Sequence, residues 1–524
     1  MPVPVLLPLA AIQGQRGVPA LGPHDSVASW GPASAHSLQQ LDRNQSDGHL
    51  IPEGAHRRDW LQFFVSGQTF ESTYTVGHKI GEGGFGKVFQ VTHKELGTNR
   101  AVKRLRKTAQ RETLRRNELA ALLELDHPHI VRLVEYFDEE DYFYLVFELC
   151  DGPDLHDRIR NEPHGRMSEF EASLALRHML KALQCCHSQF MGHYDIKPEN
   201  FMYVSEDLNN LQMVDLGMSS GFGRRNRVKG TAMYMAPEFW DGIYGPEGDV
   251  WSCGVVLFVM LTGLPFLEEV PPSTFKREIK VKTILRNRLR YAFETFKLSA
   301  NAQELLTMML THDRHGRPSV KEALRHPFNQ SSYDQEKTDD PQRLMEAGHA
   351  EAVALTGNLA EVLRAVSKEP MMKRVARLAM AHISSVGETS RLAFRMLDRY
   401  GYGELSISVL EKDLEDRNIQ VPEDLDDIFE AVDLNRDGYL GYLGFVSVTL
   451  PAEQRRDEKL AKVAFGILDQ GKDGFIDAAD LAAVFGRRRP GRASASKTCV
   501  SIVADISPDG RVSWERFRQM MVED

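Results

Sequence analysis

Three segments of the chain carry side chains suited to work on phosphate groups. "GEGGFGKV" (81–88) follows an apolar, strand-like run, and its glycines let backbone amides close over phosphate oxygens, although a plain glycine-rich hairpin reads the same way. Beyond it, "AVK" sets Lys103 on a strand, where its ammonium can grip phosphates. "RRNELAALLELDHPHIVRL" reads as a helix offering Glu118 to hold that lysine. "HYDIKPEN" (193–200) and "MVDLG" (213–217) then bring Asp195, Lys197, Asn200 and Asp215 into order, followed by "GTAMYMAPE" (230–238). A buried Asp–Lys–Asn cluster alone could be structural polarity; this order and spacing could not.

The elements that must position these groups follow from the pattern around them. Between residues 74 and 328 apolar strands come first and helices afterwards, which predicts a small sheet-rich lobe followed by a larger helical one. At 524 residues the chain needs more than one core, and 42% hydrophobic with 26% charged residues is ordinary globular composition. The formal charge of −10 argues against non-specific nucleic-acid binding. Five cysteines without metal-ligand spacing imply reduced thiols and a cytoplasmic setting. No run of about 18 apolar residues occurs, so no membrane anchor is expected. Residues 1–58 read as a disordered leader, 59–73 as an extension of the first lobe, and 329–388 as a linker leading into helices.

Residues 389–524 contain an internal repeat. Loops begin at Asp398, Asp433, Asp469 and Asp505, each with glycine sixth (Gly403, Gly438, Gly474, Gly510) and an aliphatic residue eighth (Leu405, Leu440, Ile476, Val512). Helical apolar spacing flanks every loop, so the repeat is two pairs of EF-hands.

Residues 74–328 resemble a eukaryotic Ser/Thr protein kinase, and the resemblance implies roles. Asp195 would orient and deprotonate a substrate hydroxyl, Lys197 would neutralise the migrating γ-phosphoryl, and Lys103, paired with Glu118, would hold ATP. Asn200 and Asp215 would bind Mg2+. The nucleotide would lie among Ile80, Gly81, Gly83, Gly84, Phe85, Gly86, Val88, Ala101 and Met202, with a hinge at Glu148–Cys150 behind gatekeeper Phe147. Thr231 would brace the catalytic loop, Asp249 would cap it, and Glu238 with Arg317 would anchor the helical lobe. Two positions depart from the family pattern: Tyr194 replaces the arginine of HRD and Leu216 the phenylalanine of DFG. The first implies that activation-loop phosphorylation is not required. Asp154 and Glu199 would favour protein substrates with Arg or Lys upstream of the phosphoacceptor.

A kinase followed by EF-hands resembles the calcium-dependent protein kinase family, and "LRAVSKEPMMKRVARLAMAHISS" (363–385) resembles its junction. Val366, Met372, Val375, Leu378, Met380 and Ile383 beside Lys368, Lys373, Arg374 and Arg377 make a basic amphipathic helix suited to an EF-hand groove. The resemblance implies that this helix blocks the cleft at low calcium. The expected architecture is therefore α+β, a bilobal kinase followed by an all-α calmodulin-like domain of paired EF-hands.

Read ligand by ligand, the loops are weakened. The first has tyrosines third and fifth and Val409 twelfth. The second offers Asp433, Asn435, Asp437 and the Tyr439 carbonyl, then fails at Gly441 and Gly444. The fourth ends on Arg516. The third is best, with Asp469, Asp473, Asp477, Asp480 and the Phe475 carbonyl, although Gly471 supplies no ligand and the short Asp480 admits Mg2+ as a competitor. The expected function is an ATP- and Mg2+-dependent Ser/Thr kinase with weak Ca2+ sites; the rivals are a fully calcium-activated kinase and a catalytically dead scaffold.

Overall fold

The computed structural model describes residues 69–83, 86–108, 118–119, 121–206, 210–217, 219–224, 230–267, 278–330, 350–398, 401–416, 419–484 and 495–522. The leader, residues 59–68 of the extension, residues 331–349 of the linker, and Gly84 and Phe85 lie outside them.

Five antiparallel strands, β1 (Tyr74–Gly83), β2 (Gly86–His93), β3 (Asn99–Arg106), β4 (Leu133–Asp138) and β5 (Tyr142–Glu148), form one sheet in the order β1-β2-β3-β5-β4. Strand β5, "YFYLVFE", is apolar on both faces and buried on both, so it reads as a continuous run rather than an alternation.

Helices follow, as the sequence pattern requires. Ser168 and Glu171 form a reciprocal capping box at the head of Glu169–Ser188. Pro246 opens the helix Pro246–Thr262, and Gly263, at φ +69°, closes it in the left-handed conformation that a side chain would disfavour. Nearly every residue of that helix is buried, which makes it the spine of the large lobe.

The C-terminal region carries the expected loop pairs. Glu404–Ser406 pairs with Tyr439–Gly441, and Phe475–Asp477 with Arg511–Ser513. The eighth-position residues Leu405, Leu440, Ile476 and Val512 are buried, and the sixth-position glycines have φ between +75° and +85°. The connector helix Met371–Ile383 packs against Tyr442–Val448 and Glu458–Leu468 and shares one hydrophobic core with the loops. Five of the six apolar positions read as one helix, Met372, Val375, Leu378, Met380 and Ile383, are buried here with Lys373 and Arg377; the sixth, Val366, is buried in the preceding helix Leu359–Ser367, because the chain breaks at Pro370.

The two regions are docked by polar contacts. Arg132 donates to the carbonyls of Ala381 (2.6 Å) and Ser384 (2.7 Å) and to Glu148 (2.7 Å), while Arg100 donates to the Ile383 carbonyl (2.6 Å). These carbonyls lie at the helix end, where intrahelical partners run out and the macrodipole is negative. On the large lobe, Lys181 donates to the carbonyls of Asp398 (2.9 Å) and Arg395 (3.3 Å), and Arg395 donates to Nε2 of His178 (2.7 Å). Gly401 is required there: at φ +72°, a Cβ would also lie 2.6 Å from the Lys181 Cα.

Several histidines are buried neutral at this junction. Burial, with Arg132 beside it, holds His382 down at about 3. Burial and the cations of Arg395 and Lys181 push His178 far down. Below pH about 6.5 the unfolded chain takes up protons that the folded one refuses, so stability is present above that pH and lost as pH falls towards 3. Each such histidine should remove about 1.4 kcal/mol per pH unit in that window. Thermal unfolding from pH 7.5 to 4.5 should show a falling midpoint, and a flat profile would contradict neutral burial.

Candidate active site

The glycine-bearing hairpin folds where the sequence expected it. Gly83 faces Gly86 across β1 and β2, and a Cβ at Gly86 would stand 2.6 Å from the Arg104 carbonyl oxygen. Ile80, Gly81, Val88, Ala101 and Met202 are exposed or only partly buried, and Ile80 is 43% exposed. Glu148 ends β5 with its carboxylate committed to Arg132, so what it can offer an incoming base is backbone. Burial alone would raise that carboxyl; Arg132, Arg391 and Arg100 hold it at about 2. Burial pushes the Cys150 thiol up to about 12, which makes it inert as a nucleophile at neutral pH.

Lys103 projects from β3 between two carboxylates, Glu118 at 2.5 Å and Asp215 at 3.0 Å. Burial disfavours its charge, but the two acids more than offset that, and the ammonium stays protonated.

Asp195 is held from several sides. Its Oδ1 accepts from the Thr231 N–H (2.8 Å) and hydroxyl (2.7 Å), and Lys197 sits 3.0 Å from Oδ2. Burial would raise this carboxyl, yet the Thr231 hydroxyl and Lys197 keep it below the usual range and ionised. Asn200 donates from Nδ2 to the Asp195 carbonyl at 2.8 Å, which leaves its amide oxygen available. Asp215 takes Lys103 and the Gly217 N–H, both at 3.0 Å, on Oδ1. The second carboxylate oxygen and the amide oxygen are hard donors of the kind Mg2+ accepts alongside phosphate oxygens. The residues present fit that ion.

Below the catalytic loop, Asp249 accepts the backbone N–H groups of His193 (2.9 Å) and Tyr194 (2.8 Å). Arg317 pairs with both oxygens of Glu238 at 2.6 and 2.8 Å, donates to the Thr311 and His312 carbonyls, and lies over Trp251.

Tyr194 has a use that its sequence position did not reveal. Its backbone is left-handed (φ +66°), a costly conformation for a bulky residue, held by Asp249. The ring is 2% exposed, packs edge-on to Phe239 and Tyr244, and its hydroxyl donates to the Gly221 carbonyl at 3.2 Å. Gly221 and Ser220 themselves pair with Met191 and Gly192 beside the catalytic loop. The tyrosine thus ties this loop to the start of the activation segment without any phosphate; Arg225 to Lys229 of that segment lie outside the described residues. Leu216 is buried in the same core.

The loop carboxylates are spent on protein groups. Asp433 accepts from the Arg436 and Gly438 N–H groups, Asn435 donates to Asp437 at 2.7 Å, and Tyr439 N–H donates to Asp437. In the third loop Asp469 accepts from Gly474 (3.0 Å), Asp480 from Gly471 (2.7 Å) and Asp477 (2.9 Å), and Asp473 accepts from the Phe475 N–H and pairs with Arg511 of the fourth loop. Arg516 donates to Ser507 and, at 3.4 Å, to Asp509. Among the described residues, three metal-capable side chains fall within 4.8 Å of one another only at Asp154, His156 and Asp157, where Asp154 caps a helix through the Asp157 N–H. Glu199, the other acid read as a substrate contact, is exposed beside Pro198.

Sequence reasoning missed Arg100, Arg132, Lys181 and His382. Arg100, Lys181 and His382 sit in a strand or helix and Arg132 just before β4, and no local pattern marks them as contacts with another region.

A protein kinase domain model matches residues 74–329, and an EF hand model matches residues 425–441. The chain is 30% identical over 476 residues to calcium-dependent protein kinase 32 of Arabidopsis thaliana, covering 87% of this chain and 83% of that protein. It is 32% identical over 467 residues to calcium-dependent protein kinase 9 of Oryza sativa subsp. japonica, covering 86% and 76%. Calcium-dependent protein kinase 14 of Arabidopsis thaliana aligns over 509 residues at 28% identity, 92% of this chain and 91% of that one.

The packing of Tyr194 can be weighed directly. Tyr194→Phe should cost about 0.5–1.5 kcal/mol, one hydrogen bond. Tyr194→Ala should cost about 3–5 kcal/mol through the cavity it leaves. Denaturant midpoints for the two variants should separate accordingly; equal, small losses would mean that the ring anchors nothing.

Proposed function

Because this chain belongs to the calcium-dependent protein kinase family and is a protein serine/threonine kinase with a calmodulin-like regulatory domain, we propose that it phosphorylates protein hydroxyls near basic residues under weak or absent calcium control. The observation that carries the catalytic half is the joint arrangement of Lys103 between Glu118 and Asp215 and of Asp195 between Thr231 and Lys197.

In this reading the glycine hairpin covers the ATP phosphates and Lys103 grips them. Asn200 and Asp215 would hold Mg2+, which would supply neutralising charge on the phosphate oxygens. Asp195, ionised and fixed by Thr231, orients the substrate hydroxyl and accepts its proton. Lys197, beside it, faces the charge that develops on the transferred group.

The regulatory half rests on the loop contacts. Arg516 stands where a bidentate glutamate belongs, and its guanidinium takes the oxygens of Ser507 and Asp509. Arg511 likewise takes Asp473. Asp398 of the first loop is buried against His127 at 3.5 Å. Protein cations supply part of the charge that calcium would bring, which supports the reading of the loops as largely structural. The connector supports it too: its apolar face is covered by EF-hand helices, and its end is bonded to Arg100 and Arg132 rather than to catalytic residues.

Phosphate transfer to a basic Ser/Thr peptide, at fixed magnesium in chelator and then in buffered calcium, should proceed to similar extents; transfer only with calcium would overturn the regulatory half. Asp195→Asn should lower kcat by roughly 10²–10⁴-fold with the unfolding midpoint unchanged, and substantial residual turnover would overturn the catalytic half. Calorimetry should show that Asp469→Ala removes most residual calcium binding, whereas Arg516→Glu creates a site; unchanged binding in both would refute the loop ranking.

A further inference from the structure

A cavity of about 340 Å³ opens where the chain bends between the helices Leu359–Ser367 and Met371–Ile383 and meets Arg455, Arg456 and the last helix. Five cationic side chains line it, Lys368, Lys373, Arg377, Arg455 and Arg456, against the single carboxylate of Glu369. Neither catalysis nor the calcium loops use this place.

Arg377 is 3% exposed. Its Nη2 pairs with Glu369, but its Nε and Nη1 are buried without a hydrogen-bond partner, as is Nε of Arg455. A buried, unpaired donor costs about 1–3 kcal/mol, so such a cluster is not explained by stability. Burial and the neighbouring Arg455 both work against the charge on Arg377, and Glu369 only partly restores it. The connector helix also begins here, at Pro370, with no side-chain cap and no acid in its first turn. Its amino end adds positive potential and backbone donors to the same space.

We infer that this cavity, built from the connector bend and Arg455–Arg456, is a binding site for a compact polyanion bearing phosphate monoesters, such as a phosphorylated polyol. A single carboxylate would neutralise one of the surplus charges; clustered phosphates match several, and guanidinium forks bind phosphate bidentately. The volume lies in the lower part of the range for small-ligand sites, about 300–1,000 Å³. Because the site joins the connector to the EF-hand region, an occupant would hold the bend in its docked form without calcium. The same headgroup chemistry is available from a free polyphosphate or from a phosphoinositide in a membrane.

The test uses the full chain, with its nucleotide cleft filled by an uncharged ATP-competitive inhibitor. Calorimetric titration with inositol hexakisphosphate, without magnesium, should give one site whose affinity falls steeply with salt. Arg455→Gln/Arg456→Gln, at a partly buried and an exposed position, should weaken it at least about tenfold, or 1.4 kcal/mol, while leaving basal peptide phosphorylation unchanged. Arg377→Gln, if it folds, should do the same. Flotation with vesicles containing a phosphoinositide separates the sources: recruitment lost in the double variant favours the lipid headgroup, and tight soluble binding without recruitment favours the free anion. Equal binding by wild type and double variant, or neither heat nor recruitment with wild type, overturns the proposal.

Discussion

The carbonyls of Ala381, Ile383 and Ser384, at the carboxyl end of the connector helix, are taken by the guanidinium groups of Arg132 and Arg100. A helix end leaves such carbonyls without intrahelical partners, and burying them unpaired would be prohibitive. Here the partners come from the kinase sheet, so the connector's end and the small lobe satisfy each other. Arg132 also pairs with Glu148, where β5 passes into the hinge. The ion pair is buried, and removing either member alone would strand a charge, which costs about 3–5 kcal/mol. The C-terminal region is thereby coupled to the end of β5 through Arg132, with Arg100 beside it.

The same logic of charges held by charges organises the catalytic group. Lys103 remains an ammonium in a buried place because Glu118 and Asp215 flank it, and Asp195 remains a carboxylate because Thr231 and Lys197 do. Asp249 then fixes the backbone between His193 and Asp195, including the left-handed Tyr194. Where an arginine in this position would await a phosphate, the tyrosine ring packs against Phe239 and Tyr244 and bonds to Gly221.

In the EF-hand region the loops have the backbone of ion-binding loops and use protein cations within it. Arg516 and Arg511 come from the fourth loop itself, and Lys181 comes from the kinase, donating to the Asp398 carbonyl. Loop geometry needs the left-handed glycines and the buried eighth residues, all of which are kept. Those features shape the pairs of strands and helices, whereas ion affinity depends on oxygens at other positions. The two can therefore be lost separately.

The sequence by itself determined the bilobal kinase and the helical EF-hand region, and it named the residues that gather around Lys103 and Asp195, since order, spacing and local backbone requirements are one-dimensional properties. Lys103, Glu118, Asp195, Asn200 and Asp215 could be named before they were seen together. Only the tertiary structure decided what happens on helix faces turned towards another domain. On Glu169–Ser188, His178 and Lys181 are buried because the first loop packs there. On the connector, read from the sequence as a basic amphipathic helix, Lys373 and Arg377 are buried beside the bend. Periodicity reports which face is polar; what a polar face meets depends on segments hundreds of residues away, and no local pattern carries that information.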